Sequence, residues 1–358
     1  FGNPQAHEQQ VRQYFENFVS ANRERLSDQL SDSVSLVDWD INVHGKEVVL
    51  HAFDSIWSSL TDISVAVEHM DFVGGKAYCT IIIAAAEIPE ALHVLDVIGF
   101  DDNNKIDSII HLANIANDPA VELNPTLSWE VNVLAGQQLI DMAVRAGVKQ
   151  FIFASSGSVY GIKDEINVTE DLPLVPISVY NKTKMVAERV FLSYKDSMQV
   201  HCIRPATVCG LSPRMRLDVS VNMLTFQALK NGVINVFGGK QIRPNIHIKD
   251  MVRVYKHFLN KNSISSGCYN AGFENISILD IAKTVRKYVD CEIKITESND
   301  PRSYRQDSKK LLETGFSQKY YVEDAIKDII QKYRDGQLVE DERFHTVKWM
   351  KKIGLSSN

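Results

Sequence analysis

The chain has 358 residues, enough for two domains of ordinary size or one large α/β unit. Its 44% hydrophobic and 23% charged residues exclude disorder and collagen-like repeats, and a formal charge of -6 argues against a protein built to grip nucleic-acid phosphates. The most apolar region, residues 80–100, is broken by Glu87, Pro89, Glu90 and Asp96 and falls short of the roughly 20 residues of a membrane span, so neither nucleic acid nor membrane is an expected partner. The five cysteines, Cys79, Cys202, Cys209, Cys268 and Cys291, form no C-x-x-C and read as reduced thiols. Phe1-Gly-Asn-Pro has neither the charged nor the apolar region of a signal peptide, so a cytoplasmic protein is expected.

No repeat or low-complexity tract interrupts the chain, so domain boundaries must come from a change of pattern. Residues 7–30 carry Val11, Phe15, Phe18 and Val19 at helical spacing, which predicts one amphipathic helix or two. A short alternating run at 34–37 follows, then a helix over 46–60, then strand-like runs at 63–70, 77–86, 92–100 and 105–112. Val73-Gly-Gly-Lys and Asp101-Asp-Asn-Asn between them are hairpin chemistry. Helices followed by an antiparallel sheet predict an α+β domain over residues 1–110. After Leu112 the rhythm changes. A helix over 124–146, the buried run Gln150-Phe-Ile-Phe-Ala-Ser-Ser, a helix over 180–194 and the strand Val200-His-Cys-Ile-Arg-Pro alternate, which predicts βαβ units and a parallel sheet. This α/β domain is expected over 111–340, with 341–358 as a C-terminal tail.

Within it, Ser156 closes a buried strand, Tyr180 follows on a predicted helix, and Lys184 lies one turn further along. A free phenol has a pKa of about 10 and is a poor base at neutral pH; an ammonium one turn away favours the phenolate. Tyr180 can then move a proton while Ser156 holds a reacting hydroxyl. Tyr-x-x-x-Lys alone is weak evidence in a chain with 12 tyrosines, and two surface residues on a helix would give the same pattern.

The surrounding segments add specificity. Phe151-Ile-Phe-Ala-Ser-Ser-Gly-Ser-Val-Tyr-Gly161, Tyr180-Asn-Lys-Thr-Lys184 with Glu188, Arg204-Pro-Ala-Thr-Val-Cys-Gly210 and Arg243-Pro-Asn-Ile-His-Ile-Lys-Asp250 occur in order. With His111-Leu-Ala-Asn before them and Asp300-Pro-Arg-Ser-Tyr-Arg-Gln-Asp-Ser-Lys309 after, they resemble the extended short-chain dehydrogenase/reductases, specifically the sugar-nucleotide epimerases and dehydratases. The resemblance implies a partial Rossmann-type parallel sheet with a small C-terminal substrate subdomain, NAD or NADP as cofactor, and a nucleotide-sugar as substrate. It makes Tyr180 the general acid/base, assigns the nicotinamide ribose to Lys184, and assigns the substrate hydroxyl to Ser156. Ala113, Asn132, Pro205 and Val208 fall at cofactor-side positions. Asn222, Arg243 and Arg302 fall at nucleotide-sugar positions, the arginines being suited to bidentate contact with a diphosphate; a loop-anchoring role for these three stands beside that one.

One departure matters. A dinucleotide fold needs a Gly-rich turn so that backbone can approach the pyrophosphate at a helix N-terminus. The glycines ahead of His111 are Gly2, Gly45, Gly74, Gly75 and Gly99, which cannot make G-x-G-x-x-G or G-x-x-G-x-x-G. The sequence thus carries the nicotinamide and substrate half of the site without the ADP half.

Residues 7–110 resemble instead the cone-shaped fold of the nuclear-transport-factor-like superfamily, which includes ketosteroid isomerase. That resemblance makes Asp38 a base, with Tyr14 and Asp96 donating hydrogen bonds to an enolate, the arrangement for which ketosteroid isomerase is the standard worked case. Asp96 in Val94-Leu-Asp-Val-Ile has apolar neighbours on both faces, which desolvates its carboxyl. The same doubly apolar sheet suits dimerisation, and a homodimer is expected. No H-E-x-x-H or paired-histidine spacing points to a metal. Three readings follow: an NAD-dependent sugar-nucleotide epimerase or dehydratase; a protein whose cone domain binds a small ligand or transfers a proton; and a catalytically inactive fusion that cannot hold the dinucleotide.

Overall fold

The structure is a computed structural model and describes residues 4–30, 35–37, 42–73, 76–84, 92–99, 108–163, 165–297 and 303–354. The chain divides into two compact units. One comprises Phe1–His111, Ala135–Phe151 and Ser193–Val200; the other comprises Leu112–Leu134, Ile152–Leu192 and His201–Asn358.

The first unit opens with α1 (Pro4–Val19) and α2 (Arg23–Gln29), so the long amphipathic stretch is two helices. They separate at Ala21, at φ 50°, and Asn22 restarts the chain by accepting from the Arg25 amide at 3.1 Å. Strands β1 (Ser35–Val37) and β2 (Asn42–His44) pair antiparallel, and α3 (Lys46–Ser59) follows. Leu26, Val49, Leu50 and Phe53 form the buried cluster between these helices, with Phe18 edge-on to Phe53 at 5.2 Å and the Trp57 indole donating to the Phe18 carbonyl at 2.9 Å. Three long strands, β3 (Ser64–Val73), β4 (Lys76–Ala84) and β5 (Leu92–Gly99), make an antiparallel sheet in that order, with a register shift at Val67/His69. The short β6 (Ser108–His111) is paired elsewhere, in a four-stranded sheet of order β12-β8-β7-β6. Among the described residues it is therefore not a fourth strand of the antiparallel sheet, although the apolar run 105–112 suits either sheet.

The remaining elements run in α/β alternation. Short helices α4 (Asp118–Val121) and α5 (Pro125–Trp129) precede a π-helical turn, Glu130–Leu134, and α6 (Ala135–Arg145). The helix expected over 124–146 is thus interrupted in its middle, at the turn that carries Asn132. Strand β7 (Gln150–Ala154) has Gln150, Phe151, Ile152 and Phe153 buried and runs into a 3-10 turn, Gly157–Tyr160. Helix α7 (Val179–Leu192) then leads to β8 (Gln199–Pro205), β9 (Thr207–Cys209), α8 (Ser220–Asn231), β10 (Val233–Phe237), β11 (Ile242–His247) and α9 (Ile248–Leu259). Strand β12 (Gly267–Ala271) pairs parallel to β8 and puts Cys268 opposite Cys202. Beyond it lie β13 (Glu274–Ser277), α10 (Ile278–Arg286), β14 (Glu292–Thr296), α11 (Lys309–Glu313), α12 (Val322–Arg334) and α13 (Thr346–Lys352). A second core forms where α8, α10 and α12 bury Val221, Leu224, Ile281, Val285 and Ile326 against Ile234 and Val236 of β10. Among the described residues no helix is long and apolar enough to cross a membrane, no three potential ligands converge as a metal site, and Cys202, Cys209, Cys268 and Cys291 are free thiols.

Candidate active site

The site grows from the carboxyl end of β7. The buried hydrophobic run ends at Ala154, and the chain then turns through Ser155 and Ser156, which caps the 3-10 turn by accepting from the Ser158 amide at 3.2 Å. Ser156 Oγ and Ser158 Oγ lie 2.7 Å apart, and Ser158 donates in turn to Asn181 Oδ1 at 2.5 Å. The turn is thereby tied to the first turn of α7. That helix starts where it does because Ser178 Oγ accepts from the Asn181 amide at 3.1 Å, after a Pro-containing segment that cannot continue a helix. A close backbone approach fixes the loop between: a Cβ on Gly161, at φ 72°, would stand 2.0 Å from the Val175 carbonyl oxygen.

On α7, Tyr180 is half-buried and near enough to Ser156 for that hydroxyl to favour its phenolate. One turn on, Lys184 is only 3% exposed; its Nζ donates to the Ala154 carbonyl at 2.6 Å and lies 4.7 Å from the Phe153 ring centroid and 5.8 Å from that of Tyr180. The three residues singled out from the sequence are thus brought together. Their protonation differs from the expectation. Burial pushes the Tyr180 phenol up to about 12, opposed by the nearby Ser156 hydroxyl and the charge of Arg216 and reinforced by Asp118. Burial pulls Lys184 down to about 7, opposed mainly by Glu188. Lysine at i+4 does not lower the tyrosine here because its ammonium is directed at a carbonyl and is itself desolvated.

A second layer holds this arrangement. Glu188, the next turn of α7, is bidentate with Arg204 of β8: Nε to Oε1 at 2.8 Å and Nη2 to Oε2 at 2.7 Å. Ser155, beside Ser156, donates to the same carboxylate at 2.5 Å, and the Cys268 thiol donates at 3.7 Å. Arg204 Nη1 also donates to the Tyr160 hydroxyl at 2.7 Å; that hydroxyl donates to Asn270 Oδ1 at 2.8 Å, and Gln306 Nε2 reaches both Asn270 Oδ1 at 3.0 Å and the Arg204 carbonyl at 2.7 Å. Glu188, Arg204, Tyr160, Asn270 and Gln306 are all buried. Burial alone would lower the Arg204 guanidinium, but its pairing with Glu188 raises it above the usual arginine range. Sequence reasoning quoted Glu188 and Arg204 as motif members without giving them a role. A carboxylate at i+4 from the lysine and an arginine ending the next apolar strand were the available signal.

The other candidate residues fall as follows. Asn132, at 0% exposure in the π-helical turn, accepts from the Ile115 amide at 2.8 Å and donates to the Ile115 carbonyl at 3.0 Å and to Thr183 Oγ1 at 3.1 Å. It clamps the loop after β6, which carries the exposed Ala113, to the helix of Tyr180 and Lys184. Pro205 ends β8 and Val208 lies on β9, both half-buried. Asn222 is buried and spends its amide on the Gly210 amide at 2.9 Å, the Gly210 carbonyl at 3.3 Å and the Arg216 carbonyl at 2.9 Å. Arg243 is half-buried on β11; Arg302 lies outside the described residues. Of the cone-pocket trio, Tyr14 packs on the Leu26, Val49, Leu50 and Phe53 cluster, its ring 5.2 Å from Phe15. Asp38 lies outside the described residues, and Asp96 is known by its backbone register opposite Cys79.

Residues 92–272, about half of the chain, match the family described as the NAD dependent epimerase/dehydratase family, and the chain belongs to that family. The match begins at Leu92, upstream of the His111 motif. Among curated proteins, the chain is 27% identical over 206 residues to a UDP-glucose 4-epimerase of Lactobacillus helveticus, covering 51% of this chain and 62% of that protein. It is 31% identical over 185 residues to the uncharacterized UDP-glucose epimerase YtcB of Bacillus subtilis (strain 168), covering 50% and 58%. The chain therefore spans about six-tenths of the length of these relatives. Among solved structures, MoeE5 in complex with UDP-glucose and NAD aligns with a TM-score of 0.58 at 26% identity over 65% of this chain and 81% of that one. UDP-glucuronic acid 4-epimerase from Bacillus cereus, with UDP-glucuronic acid and NAD, aligns with a TM-score of 0.56 at 28% identity over 64% and 76%. The parallel sheet and its helices thus have the Rossmann-like α/β fold of these structures.

Proposed function

We propose that this chain oxidises a hydroxyl of a nucleotide-sugar, with Ser156 holding the hydroxyl and Tyr180 accepting its proton. The observation that carries the reading is that Ser156, the half-buried Tyr180 and the buried Lys184, whose ammonium lies 5.8 Å from the Tyr180 ring centroid, come together at the end of β7, in a chain of the epimerase/dehydratase family. MoeE5 and the Bacillus cereus epimerase are described with a UDP-sugar and NAD, which makes a UDP-sugar and a nicotinamide dinucleotide the first ligands to test.

The residues present fit one half of that cofactor. The buried Lys184 ammonium, the Asn132-clamped loop bearing Ala113, and Pro205 with Val208 suit the nicotinamide ribose end. No Gly-x-Gly-x-x-Gly or related turn stands ahead of His111 to receive the pyrophosphate. When bound, the dinucleotide supplies the hydride acceptor. The chain's own part is to position and to move a proton: Ser156 orients the hydroxyl, Tyr180 takes its proton, and Arg216 favours the phenolate electrostatically. Arg243, Arg302 and Asn222 are assigned to the nucleotide-sugar, with Asn222 acting through the Gly210 loop it pins. A phenol raised to about 12 leaves little of Tyr180 as phenolate at neutral pH, so turnover should rise with pH.

A second reading rests on the glycine count ahead of His111: an inactive fusion that cannot hold the dinucleotide, or one whose N-terminal unit carries the function. The helices α1–α3 and the antiparallel β3-β4-β5 sheet support a cone-like ligand-binding or dimerising module. Denaturing the purified protein and assaying the supernatant for released NAD(H), then assaying UDP-sugar turnover with added NAD, separates these readings.

A further inference from the structure

The C-terminal half of α9 and the residues after it line a cavity of about 390 Å³, completed by the segment that follows α11: Arg253, Lys256, His257, Asn260 and Lys261 on one side, Gly315, Phe316 and Ser317 on the other. None of these residues belongs to the Ser156–Tyr180–Lys184 site, and among the described residues no acidic side chain lines it. Small-molecule pockets span about 300–1,000 Å³, so the volume suits a ligand larger than a bare ion.

The cations are arranged rather than merely gathered. Arg253 is held from behind by Asp250, a fully buried carboxylate that also accepts from the Lys319 and Tyr320 amides at 2.9 and 2.8 Å. Its Nη1 donates further to the Ser317 carbonyl at 2.9 Å, and its guanidinium lies 4.9 Å from the Phe316 ring centroid. Those contacts use Nη1 only; among the described residues the Nε and Nη2 groups of the fork have no protein partner. Lys256 Nζ has none either. Lys261 Nζ donates to the Thr314 carbonyl, beside Gly315 at φ 90°, where a Cβ would stand 3.1 Å from that ammonium. Glycine at 315 therefore keeps the ammonium uncovered. His257 bonds Thr314 Oγ1 at 2.7 Å; its imidazole is held below its usual value by burial and then by Lys261, so the charge it senses from the cavity side is positive. The dipole of the last turn of α9 favours a cation there, but it does not explain a guanidinium held by Asp250, with Nε and Nη2 unpaired, in a cavity it shares with the unpartnered ammonium of Lys256.

We propose that this cavity is a second ligand site, specific for the diphosphate group of a small phosphorylated molecule, with Arg253 as the planar clamp and Lys256 and Lys261 as flanking charges. Inorganic pyrophosphate is the probe, titrated calorimetrically into the full chain. One equivalent should bind, and Lys256→Gln with Lys261→Gln should weaken it at least about tenfold, while Lys256→Arg with Lys261→Arg retains it. Arg243→Gln, at the nucleotide-sugar position, should leave this binding unchanged. A parallel titration with UDP distinguishes sources: UDP tighter than pyrophosphate, with the difference lost in the Gln variant, identifies a nucleoside diphosphate, and equal affinity identifies the free anion. The proposal is overturned if pyrophosphate does not bind the folded wild type at millimolar concentration, or if binding survives the Gln variant at wild-type affinity, whether or not Arg243→Gln removes it.

Discussion

Replacing Glu188 by glutamine keeps the shape of the side chain and removes its charge. The carboxylate accepts two hydrogen bonds from Arg204 and one each from Ser155 and Cys268, and the paired side chains are 5% and 2% exposed. The mutation leaves a guanidinium buried without a counter-ion, a change that costs about 3–5 kcal/mol against a total stability of about 5–15 kcal/mol. Glu313→Gln is the matched control, since its ion pair with Lys309 is 65% and 78% exposed and contributes little. Urea denaturation followed by tryptophan fluorescence and circular dichroism should show Glu188→Gln shifted to much lower urea and Glu313→Gln unchanged. The double variant Glu188→Met with Arg204→Met should be less destabilised than the sum of the single variants, by about 2 kcal/mol or more, because neither charge is then orphaned. If Glu188→Gln lies within 1 kcal/mol of wild type, as an exposed pair would, the network is not holding β7, α7 and β8 together.

Three further outcomes follow from the same geometry. Lys184 is depressed to about 7 in the folded chain against an ordinary 10.5, so the unfolded chain binds the extra proton between those values and stability should rise with pH there, by up to about 1.4 kcal/mol per pH unit; the difference in urea midpoint between wild type and Lys184→Met, compared at pH 7 and pH 9.5, checks this, and a falling or flat difference contradicts it. Gly161→Ala places a Cβ at 2.0 Å from the Val175 carbonyl on a backbone at φ 72°, and a loss of about 3 kcal/mol is expected; equilibrium unfolding within 1 kcal/mol of wild type would show the loop yields freely. Without a glycine-rich turn for the pyrophosphate, NAD should bind roughly a thousandfold more weakly than to a complete dinucleotide fold, and calorimetry giving a micromolar dissociation constant for a monomer verified by light scattering would refute that.

Elements with one strong period were legible in the sequence. The helix expected over 46–60 is α3, Lys46–Ser59, and the apolar runs near 64, 77, 92 and 150 are β3, β4, β5 and β7, because their faces are set by burial within one segment. The interruption at Glu130–Leu134 was not, since a π-helical turn leaves the apolar spacing of its helix almost intact. Ser156, Tyr180 and Lys184 were legible through motif order, yet their protonation was not. A sequence shows that an ammonium is one turn from a phenol, not that its protons are directed to Ala154 and that both groups are desolvated. The Glu188–Arg204–Tyr160–Asn270–Gln306 network lay beyond reach for a related reason: its members are up to 146 positions apart and meet only after β8 and β12 pair. For the apolar run 105–112, periodicity assigns a face but not a partner, and among the described residues its β6 pairs in the β12-β8-β7-β6 sheet.

Proton exchange between Tyr180 and a sugar hydroxyl at the Ser156–Lys184 site can be followed with UDP-glucose and UDP-glucuronic acid by nuclear magnetic resonance, with the full chain at saturating NAD, in wild type and in Tyr180→Phe. Wild type should convert at least one of these sugars slowly, faster at higher pH, with a loss of about a hundredfold or more in Tyr180→Phe while the fold is unchanged. Equal conversion by the two proteins, or none by wild type with either sugar at any NAD concentration, would contradict that proton exchange.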